Sequence, residues 1–225
     1  MSGKFKESIK EERAKLAEMN FKEKVDYIWE YYKYHIIITV VSVLFIYMLI
    51  DALVLNPQKN VHVGVAIYGP YIFEETTNEL TSYLTGNMQA DWETSAVVIT
   101  NFFVSEDDLQ ITNAMVQKFI AMLSVQEIDI FIGNELQFTQ NARQGFFLDL
   151  STAEGLNITP QEIKSFDFQE SEDSPVVSFP CAIALNSDYF KTLTPNGEQL
   201  YLGIIVNSKR LPQTIEAVNL LLEKK

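Results

Sequence analysis

The chain contains few of the residues that acid–base, nucleophilic or metal chemistry requires. Its two histidines are His35 and His62, and its one cysteine is Cys181. A Ser-His-Asp arrangement would have to use His62, but no Gly-x-Ser-x-Gly elbow accompanies it. A zinc site needs several His, Cys or carboxylate ligands at close spacing, and none is spaced in that way. We therefore expect no enzyme activity, no cofactor and no bound metal.

A dense group of acidic residues is the remaining candidate for metal binding. Asp167, Glu170, Glu172 and Asp173 lie in a segment that ends at Pro175. The segment lacks the glycine and the spaced oxygen ligands of a calcium loop, which favours a solvated loop over a Ca²⁺ site.

The cysteine indicates a structural role. Cys181 lies in the apolar stretch 176–185, and free cysteine is among the most buried residue types, so we expect a small core side chain. A lone cysteine excludes an intramolecular disulfide and C-x-x-C chemistry. This usage favours a bacterial cell-surface protein over a disulfide-stapled secreted eukaryotic one.

Four polar residues follow or end apolar runs that are typical of strands. Tyr68 and Tyr71 come from the loop 68–71, Asn134 from 133–137, and Asn186 from 186–188. Ligands of open α/β sheets bind outside the carboxyl ends of the strands, so these four are the candidate ligand-binding residues. Their phenols and amides suit a polar neutral or cationic small ligand. Ordinary turn chemistry also explains each of them.

The elements that position these residues alternate between strand and helix patterns after residue 60. The predicted strands are 61–68, 95–104, 128–132, 146–150, 176–185 and 200–206. The predicted helices are 73–84, 106–124, 135–143, 160–166, 188–193 and 212–223. Two helix starts have capping signals, Ser105 with Asp108 and Thr159 with Glu162. The alternation predicts one α/β domain over 57–225 with a mixed or mostly parallel sheet.

An apolar run precedes this domain. Residues 36–55, within a segment 35–56, are long enough at 1.5 Å per residue to cross a bilayer as one helix. Trp29 and Tyr32 belong to an aromatic belt at its edge. Asp51 lies near the outer end, where a carboxylate reaches headgroups and water; contact with a partner helix is the alternative. The length of chain before the run favours an uncleaved signal anchor over a cleaved signal peptide.

Charge predicts the orientation of this span. Four lysines, at positions 15, 22, 24 and 33, flank its amino end, and only Lys59 flanks its carboxyl end. The positive-inside rule then puts residues 1–34 in the cytoplasm and the domain outside the cell. Residues 51–225 have a net charge of −14, which excludes nucleic acid as a partner of the domain.

The cytoplasmic tail, residues 1–34, contains a predicted amphipathic juxtamembrane helix. Asn20 followed by Glu23 has the pattern of a capping box. Phe21, Val25 and Trp29 then repeat at helical spacing on one apolar face, which could lie along the headgroups.

The segments 128–132, 144–151, 181–190 and 201–207 occur in an order that resembles the landmarks of extracellular solute-binding proteins of the periplasmic-binding-protein class. The whole chain also resembles uncharacterised single-span proteins of Gram-positive bacteria, which begin with segments like Phe-Lys-Glu-Lys at 21–24 and Trp-Glu-Tyr-Tyr-Lys at 29–33. The resemblance implies a periplasmic-binding-protein-like domain on a membrane anchor.

These features together predict a single-pass, membrane-anchored extracytoplasmic binding or interaction protein, in the manner of a solute receptor. The alternative is a non-catalytic accessory subunit of a membrane or cell-envelope complex. The expected partners are the lipid bilayer, a membrane protein and a neutral or cationic small ligand.

Overall fold

The computed structural model describes residues 19–51, 59–105, 108–169, 174–194 and 197–224. The chain divides into two compact units, Met1–Gln58 and Lys59–Lys225. Three of the regions discussed above fall outside the described residues: most of the predicted tail (1–18), the predicted end of the span (52–56), and the acidic residues Glu170, Glu172 and Asp173.

The first unit contains helix α1, Phe21–Ile50. The predicted capping box is confirmed, because the Asn20 side chain accepts the Glu23 N–H and the Glu23 carboxylate accepts the Asn20 N–H at 2.9 Å. From Trp29 to Ile50 the helix has 22 residues with a mean hydropathy of 2.0. None of the residues in its most apolar 18-residue stretch is buried by the part of the chain that the structure describes. It is therefore long and apolar enough to cross a membrane, a property that signal sequences near an N-terminus share.

The second unit alternates strands and helices, as predicted. Its strands are β1 (Asn60–Gly69), β2 (Ser95–Phe103), β3 (Ile130–Gly133), β4 (Ile163–Phe168), β5 (Val177–Leu185) and β6 (Leu200–Ile204). Its α-helices are α2 (Glu74–Asn87), α3 (Leu109–Ser124), α4 (Glu135–Arg143), α5 (Asp188–Thr192) and α6 (Leu211–Glu223).

The six strands form one mixed sheet in the order β2-β1-β3-β6-β5-β4. β1 pairs in parallel with β2 and β3, whereas β3–β6, β6–β5 and β5–β4 are antiparallel pairs. β1, α2 and β2 form one βαβ unit, and β2, α3 and β3 form the next. In each unit the helix provides the crossover connection that parallel strands need. The predicted α/β class and mixed sheet are therefore confirmed.

Each face of the sheet is covered by helices. One core joins Val65 and Ile67 of β1 to Leu84 of α2 and Val218 of α6. The opposite core is aromatic and joins β1, β2 and β3 to α3 and α4; its rings include Phe102, Phe119, Phe131, Phe138 and Phe147. Because both faces are buried, the sheet can present ligand-binding groups only at its strand ends and its two edge strands.

The predicted helix at 160–166 is wrong, because this segment is a turn followed by β4. The two capping residues do form hydrogen bonds, but these bonds close a turn and do not begin a helix. The N–H and the hydroxyl of Thr159 both donate to the Glu162 carboxylate, at 2.8 and 2.7 Å. β4 then pairs with β5, and Phe166 is buried in the aromatic core. Pairing with a distant strand overrides the local capping pattern.

The predicted strand at 146–150 is also wrong. It forms one bridge, Phe147 with Ile205, and continues into a 3₁₀ helix over Leu150–Thr152. β5 already occupies this side of β6 up to Leu202, so the segment can pair only beyond that point. Helix α3 begins later than predicted, with Asp108 as its N-cap instead of Ser105, because the Asp108 carboxylate accepts the N–H groups of Gln110 and Ile111, each at 3.0 Å.

Candidate functional site

The carboxyl ends of the parallel strands β1, β2 and β3 lie on one side of the sheet, together with the end of β5 and the start of β6. This row of strand ends is here called the carboxyl edge of the sheet. β1 leads into α2 on one face, and β3 leads into α4 on the other. The switch point of the parallel half therefore lies between β1 and β3, where the register places Tyr68 opposite Gly133. Such a point is the usual ligand site of an open α/β sheet.

The space at this switch point, between the ends of β1 and β3, is occupied by the Gln137 side chain. Gly69 has φ of +114°, and a Cβ there would lie 3.0 Å from the side-chain amide of Gln137. Gln137 forms a capping box with Asn134: the Asn134 side chain accepts the Gln137 N–H, and the Gln137 side chain accepts the Asn134 N–H, each at 3.2 Å. This box fixes the start of α4 and the direction of the Asn134 side chain.

A depression of about 290 Å³ lies next to the switch point, between the start of α4 and the start of β6. It is lined by Asn134, Glu135, Leu136, Glu198, Gln199 and Tyr201. The Asn134 amide donates to the Glu198 carboxylate at 3.1 Å. Glu198 is exposed, so the remaining acceptor sites of its carboxylate face solvent.

Lys164 of β4 contacts Glu135 and Tyr201, two of the residues that line this depression. Its ammonium is 2.8 Å from the Glu135 carboxylate, donates to the Tyr201 hydroxyl at 3.2 Å, and lies 4.7 Å from the centre of the Tyr201 ring. Burial on its own lowers the pKa of Lys164, but the hydrogen bonds to Glu135 and Tyr201 outweigh it and the pKa is raised. Lys164 therefore neutralises Glu135 and leaves Glu198 as the carboxylate that an incoming charge would meet.

The arrangement can bind a small cation but holds no nucleophile paired with a base. An ammonium or guanidinium group could donate hydrogen bonds to the Glu198 carboxylate and lie near the Gln199 amide. Contacts of this kind are charge-assisted and about twice as strong as neutral ones. The volume of about 290 Å³ is just below the roughly 300–1,000 Å³ of small-molecule sites, which restricts the ligand to a small one.

The structure places the four predicted ligand residues at this edge but not in one cavity. Only Asn134 lines the depression. Tyr68 is buried, with its ring 5.1 Å from that of Phe119, and burial raises the pKa of its phenol. Tyr71 is exposed and lines a second depression of about 180 Å³ beside α2, and Asn186 lines a cavity of about 60 Å³ beneath α5.

Sequence reasoning missed Glu135, Glu198, Tyr201 and Lys164. Glu198 lies two residues before the last predicted strand, but its approach to Asn134, 64 residues away, depends on β6 running antiparallel to β3. Lys164 lies within the predicted helix 160–166, so the local pattern does not indicate its position on an edge strand beside Tyr201.

The predicted membrane residues lie on α1. Trp29 is exposed, the Tyr32 ring lies 6.2 Å from that of His35, and Asp51 is the C-cap, whose N–H donates to the carbonyls of Met48 and Tyr47. Their contacts with lipid remain predictions.

Cys181 is fully buried, as predicted, and burial raises the pKa of its thiol to about 12. His62 packs edge-on against Trp92, with ring centres 5.3 Å apart. Among the residues that the structure describes, no three His, Cys, Asp or Glu side chains are grouped to hold a metal ion.

No family model matches this chain, and neither does a curated protein or a solved structure.

Proposed function

We propose that this protein is a membrane-anchored, extracytoplasmic binding protein whose second unit takes up a small cationic ligand at the carboxyl edge of its sheet. The depression at Asn134, Glu198 and Tyr201 carries this proposal, because it combines an exposed carboxylate with amide and phenol groups at the place where α/β sheets bind ligands. The protein acts by binding and not by catalysis. Its domain is solute-receptor-like, in keeping with the resemblance to periplasmic-binding-protein-like domains.

The proposed topology places α1 across the membrane of a Gram-positive cell once, as a signal anchor, with the N-terminus in the cytoplasm. The length and composition of Trp29–Ile50 support a span, and the lysines that flank its amino end support the orientation. Asp51 and the aromatic residues Trp29 and Tyr32 then lie at opposite membrane interfaces.

Thermal unfolding of the full chain in detergent tests the ligand. Amino acids, peptides, sugars and polyamines are added in turn; compounds that bear an ammonium or guanidinium group are expected to raise Tm. A ligand at about 100 times its Kd adds roughly 2.7 kcal/mol, which raises Tm by several degrees.

Glu198→Gln is the decisive variant, because glutamine keeps an acceptor for Asn134 and removes only the charge. We expect it to abolish the shift in Tm. Glu223→Gln, an exposed carboxylate at the end of α6, is the matched control and should leave the shift intact. The cation-binding proposal fails if no class of compound moves Tm, or if the shift persists in Glu198→Gln.

The alternative function is that of an accessory subunit in a membrane or envelope complex. Exposed aromatic residues at the same edge favour it: Tyr71 and Phe73 are 58% and 69% exposed, and their rings meet edge to face at 5.4 Å. Rings exposed in this way are typical of contacts with another protein. Purification from native membranes with a stoichiometric membrane protein, without any response to small compounds, would favour this reading.

A further inference from the structure

The end of helix α6 places a lysine in a nearly enclosed site on the face of the sheet that α2 and α6 cover. Lys224 directly follows α6, and only 12% of its side chain is exposed. Its ammonium lies 4.6 Å from the centre of the Tyr83 ring of α2 and 4.3 Å from the centre of the Tyr189 ring of α5. It also donates to the Glu79 carboxylate of α2 at 2.8 Å. The side chains of Glu79, Tyr83 and Tyr189 are here called the aromatic cage.

The chemistry of the aromatic cage matches an ammonium group. The face of an aromatic ring attracts a cation that lies within about 6 Å of its centre, and the attraction is stronger where water is excluded. The carboxylate adds a charge-assisted hydrogen bond. This is not an ordinary surface ion pair, because the lysine of the Asp188–Lys191 pair is 51% exposed. Rings grouped around a cation are the arrangement by which proteins recognise ammonium ligands.

The core of the domain holds the residues of the aromatic cage in place. Leu80 and Leu84 bury one side of α2, and Phe190 anchors α5 in the same core. The Tyr83 hydroxyl donates to the Leu220 carbonyl of α6 at 3.1 Å. The two rings and the carboxylate are therefore positioned by α2, α5 and the body of α6, and not by the lysine that lies between them.

The lysine itself is held less firmly and leaves one polar group of the site unused. Its position is beyond the last residue of α6, and the Lys224 N–H reaches the Leu221 carbonyl at 3.4 Å, which is long for a hydrogen bond. The Tyr189 hydroxyl is buried without a hydrogen-bond partner among the residues that the structure describes. Burial, with a further contribution from the charge of Glu79, raises the pKa of Tyr189 to about 12, so the hydroxyl stays protonated. An unsatisfied buried hydroxyl is costly, and a ligand could supply its missing partner.

We propose that the aromatic cage is a binding site for the primary alkylammonium group of a small ligand, and that Lys224 occupies it as a built-in competitor. The ligand makes the ring contacts and the bond to Glu79 that the lysine makes, and it can also use the Tyr189 hydroxyl. Because the lysine is tethered beside the site, its effective concentration is on the order of millimolar, which a free amine must exceed to replace it. The site is separate from the depression at Glu198, which lies at the start of α4, the helix that packs on the opposite face of the sheet.

Chemical rescue of Lys224→Ala tests the site. Alanine keeps the Cβ atom, so n-propylammonium supplies the atoms that the substitution removes. Added to the full chain in detergent at about five times its fitted Kd, it is expected to raise the Tm of Lys224→Ala by roughly 2–4 °C. The same concentration should shift the Tm of the chain that retains Lys224 much less. Every chain also contains Glu198→Gln, so that binding at the depression cannot contribute.

Matched controls assign the rescue to the aromatic cage. n-Propanol, a neutral molecule of the same length, should not raise the Tm of Lys224→Ala. Lys191→Ala removes an exposed lysine, and n-propylammonium should not rescue it. Adding Tyr189→Leu or Glu79→Gln to Lys224→Ala should raise the Kd for n-propylammonium by about tenfold. Circular dichroism of each variant confirms that it is folded.

The proposal is overturned if n-propylammonium leaves the Tm of Lys224→Ala unchanged, if n-propanol raises it equally, or if the rescue persists at the same Kd in the Tyr189→Leu and Glu79→Gln chains. An equal response of the chain that retains Lys224 would overturn the role of this lysine as a competitor. None of these outcomes depends on whether the depression binds a cation, because the Glu198 carboxylate is absent from every chain in the experiment.

Discussion

At the scale of single residues, the most constrained group is Asp129. It directly precedes β3, at the amino ends of the parallel strands and therefore on the side of the sheet opposite the candidate site. Its side chain is fully buried and accepts the Gly64 N–H at 2.8 Å, the Ser208 hydroxyl at 2.6 Å and the Arg210 Nε at 2.9 Å. Arg210 also donates to the Gln126 carbonyl at 2.6 Å. This network joins β1, the start of β3 and the loop after β6, and every partner of the buried charge is supplied by the chain.

Asp129→Ala is therefore expected to destabilise the protein strongly. It leaves the Arg210 guanidinium, the Ser208 hydroxyl and the Gly64 N–H without their acceptor, and breaking a buried ion pair costs about 3–5 kcal/mol. Asp188→Ala is the control, because the Asp188–Lys191 pair is exposed and such pairs contribute less than about 1 kcal/mol. Urea unfolding of both variants checks the difference; equal midpoints would contradict it.

Gly64 is required by close packing of backbone. A Cβ at this position would lie 1.8 Å from the Glu127 carbonyl oxygen, so Gly64→Ala forces β1 away from the segment that leads into β3. We expect a loss of about 1–3 kcal/mol, as for other overpacked sites. Gly86→Ala is the matched control: it lies in α2 with no atom within 4 Å of the new Cβ, and alanine should stabilise the helix by up to about 1 kcal/mol. A thermal melt should shift in opposite directions for the two variants.

At the scale of elements, α4 links stability to the candidate site through one residue. Asn134 caps the helix with its side-chain oxygen and holds Glu198 with its amide nitrogen. The two roles can be separated, because serine is as good an N-cap as asparagine but is too short to reproduce the bond to Glu198.

Asn134→Ser is expected to leave the free energy of unfolding within about 0.5 kcal/mol of the unmodified chain and to weaken binding of a cationic ligand. Asn134→Ala should do both, lowering stability by about 1 kcal/mol. Isothermal titration and urea unfolding of the two variants distinguish the roles. Full binding by Asn134→Ser would remove Asn134 from the site.

At the scale of the whole molecule, the unit Lys59–Lys225 has its own two cores, one on each face of the sheet. We expect it to fold without detergent when it is expressed alone, in one cooperative transition. Trp92 is its only tryptophan, so fluorescence reports the loop before β2 while circular dichroism reports the whole unit. The two probes should give the same urea midpoint; separate midpoints would show that the cores unfold independently.

The orientation of the chain is tested in intact protoplasts. Under the proposed topology, added protease should digest the unit after residue 58 and spare an epitope within residues 1–34, because the flanking lysines favour a cytoplasmic amino end. Protection of the second unit with loss of the epitope would reverse the assignment.

The sequence by itself determined the features that depend on neighbouring residues. The apolar helix follows from a run of hydrophobic side chains, the start of α1 from Asn20 and Glu23, and the buried position of Cys181 from its apolar surroundings. The alternation of strands and helices was enough for the α/β class. Each of these is a local property of the chain.

Only the tertiary structure decided which strands pair and in which direction. Sequence patterns at 160–166 and 146–150 predicted a helix and a strand. In the structure, most of the first segment pairs with β5 as strand β4, and the second forms only one bridge, next to the end of β6. The antiparallel direction of β6 brought Glu198 to Asn134, and the position of β4 brought Lys164 to Glu135. Segments that are far apart in the sequence can pair with the same backbone N–H and C=O groups. Which of them pairs therefore depends on the whole chain and not on any one segment.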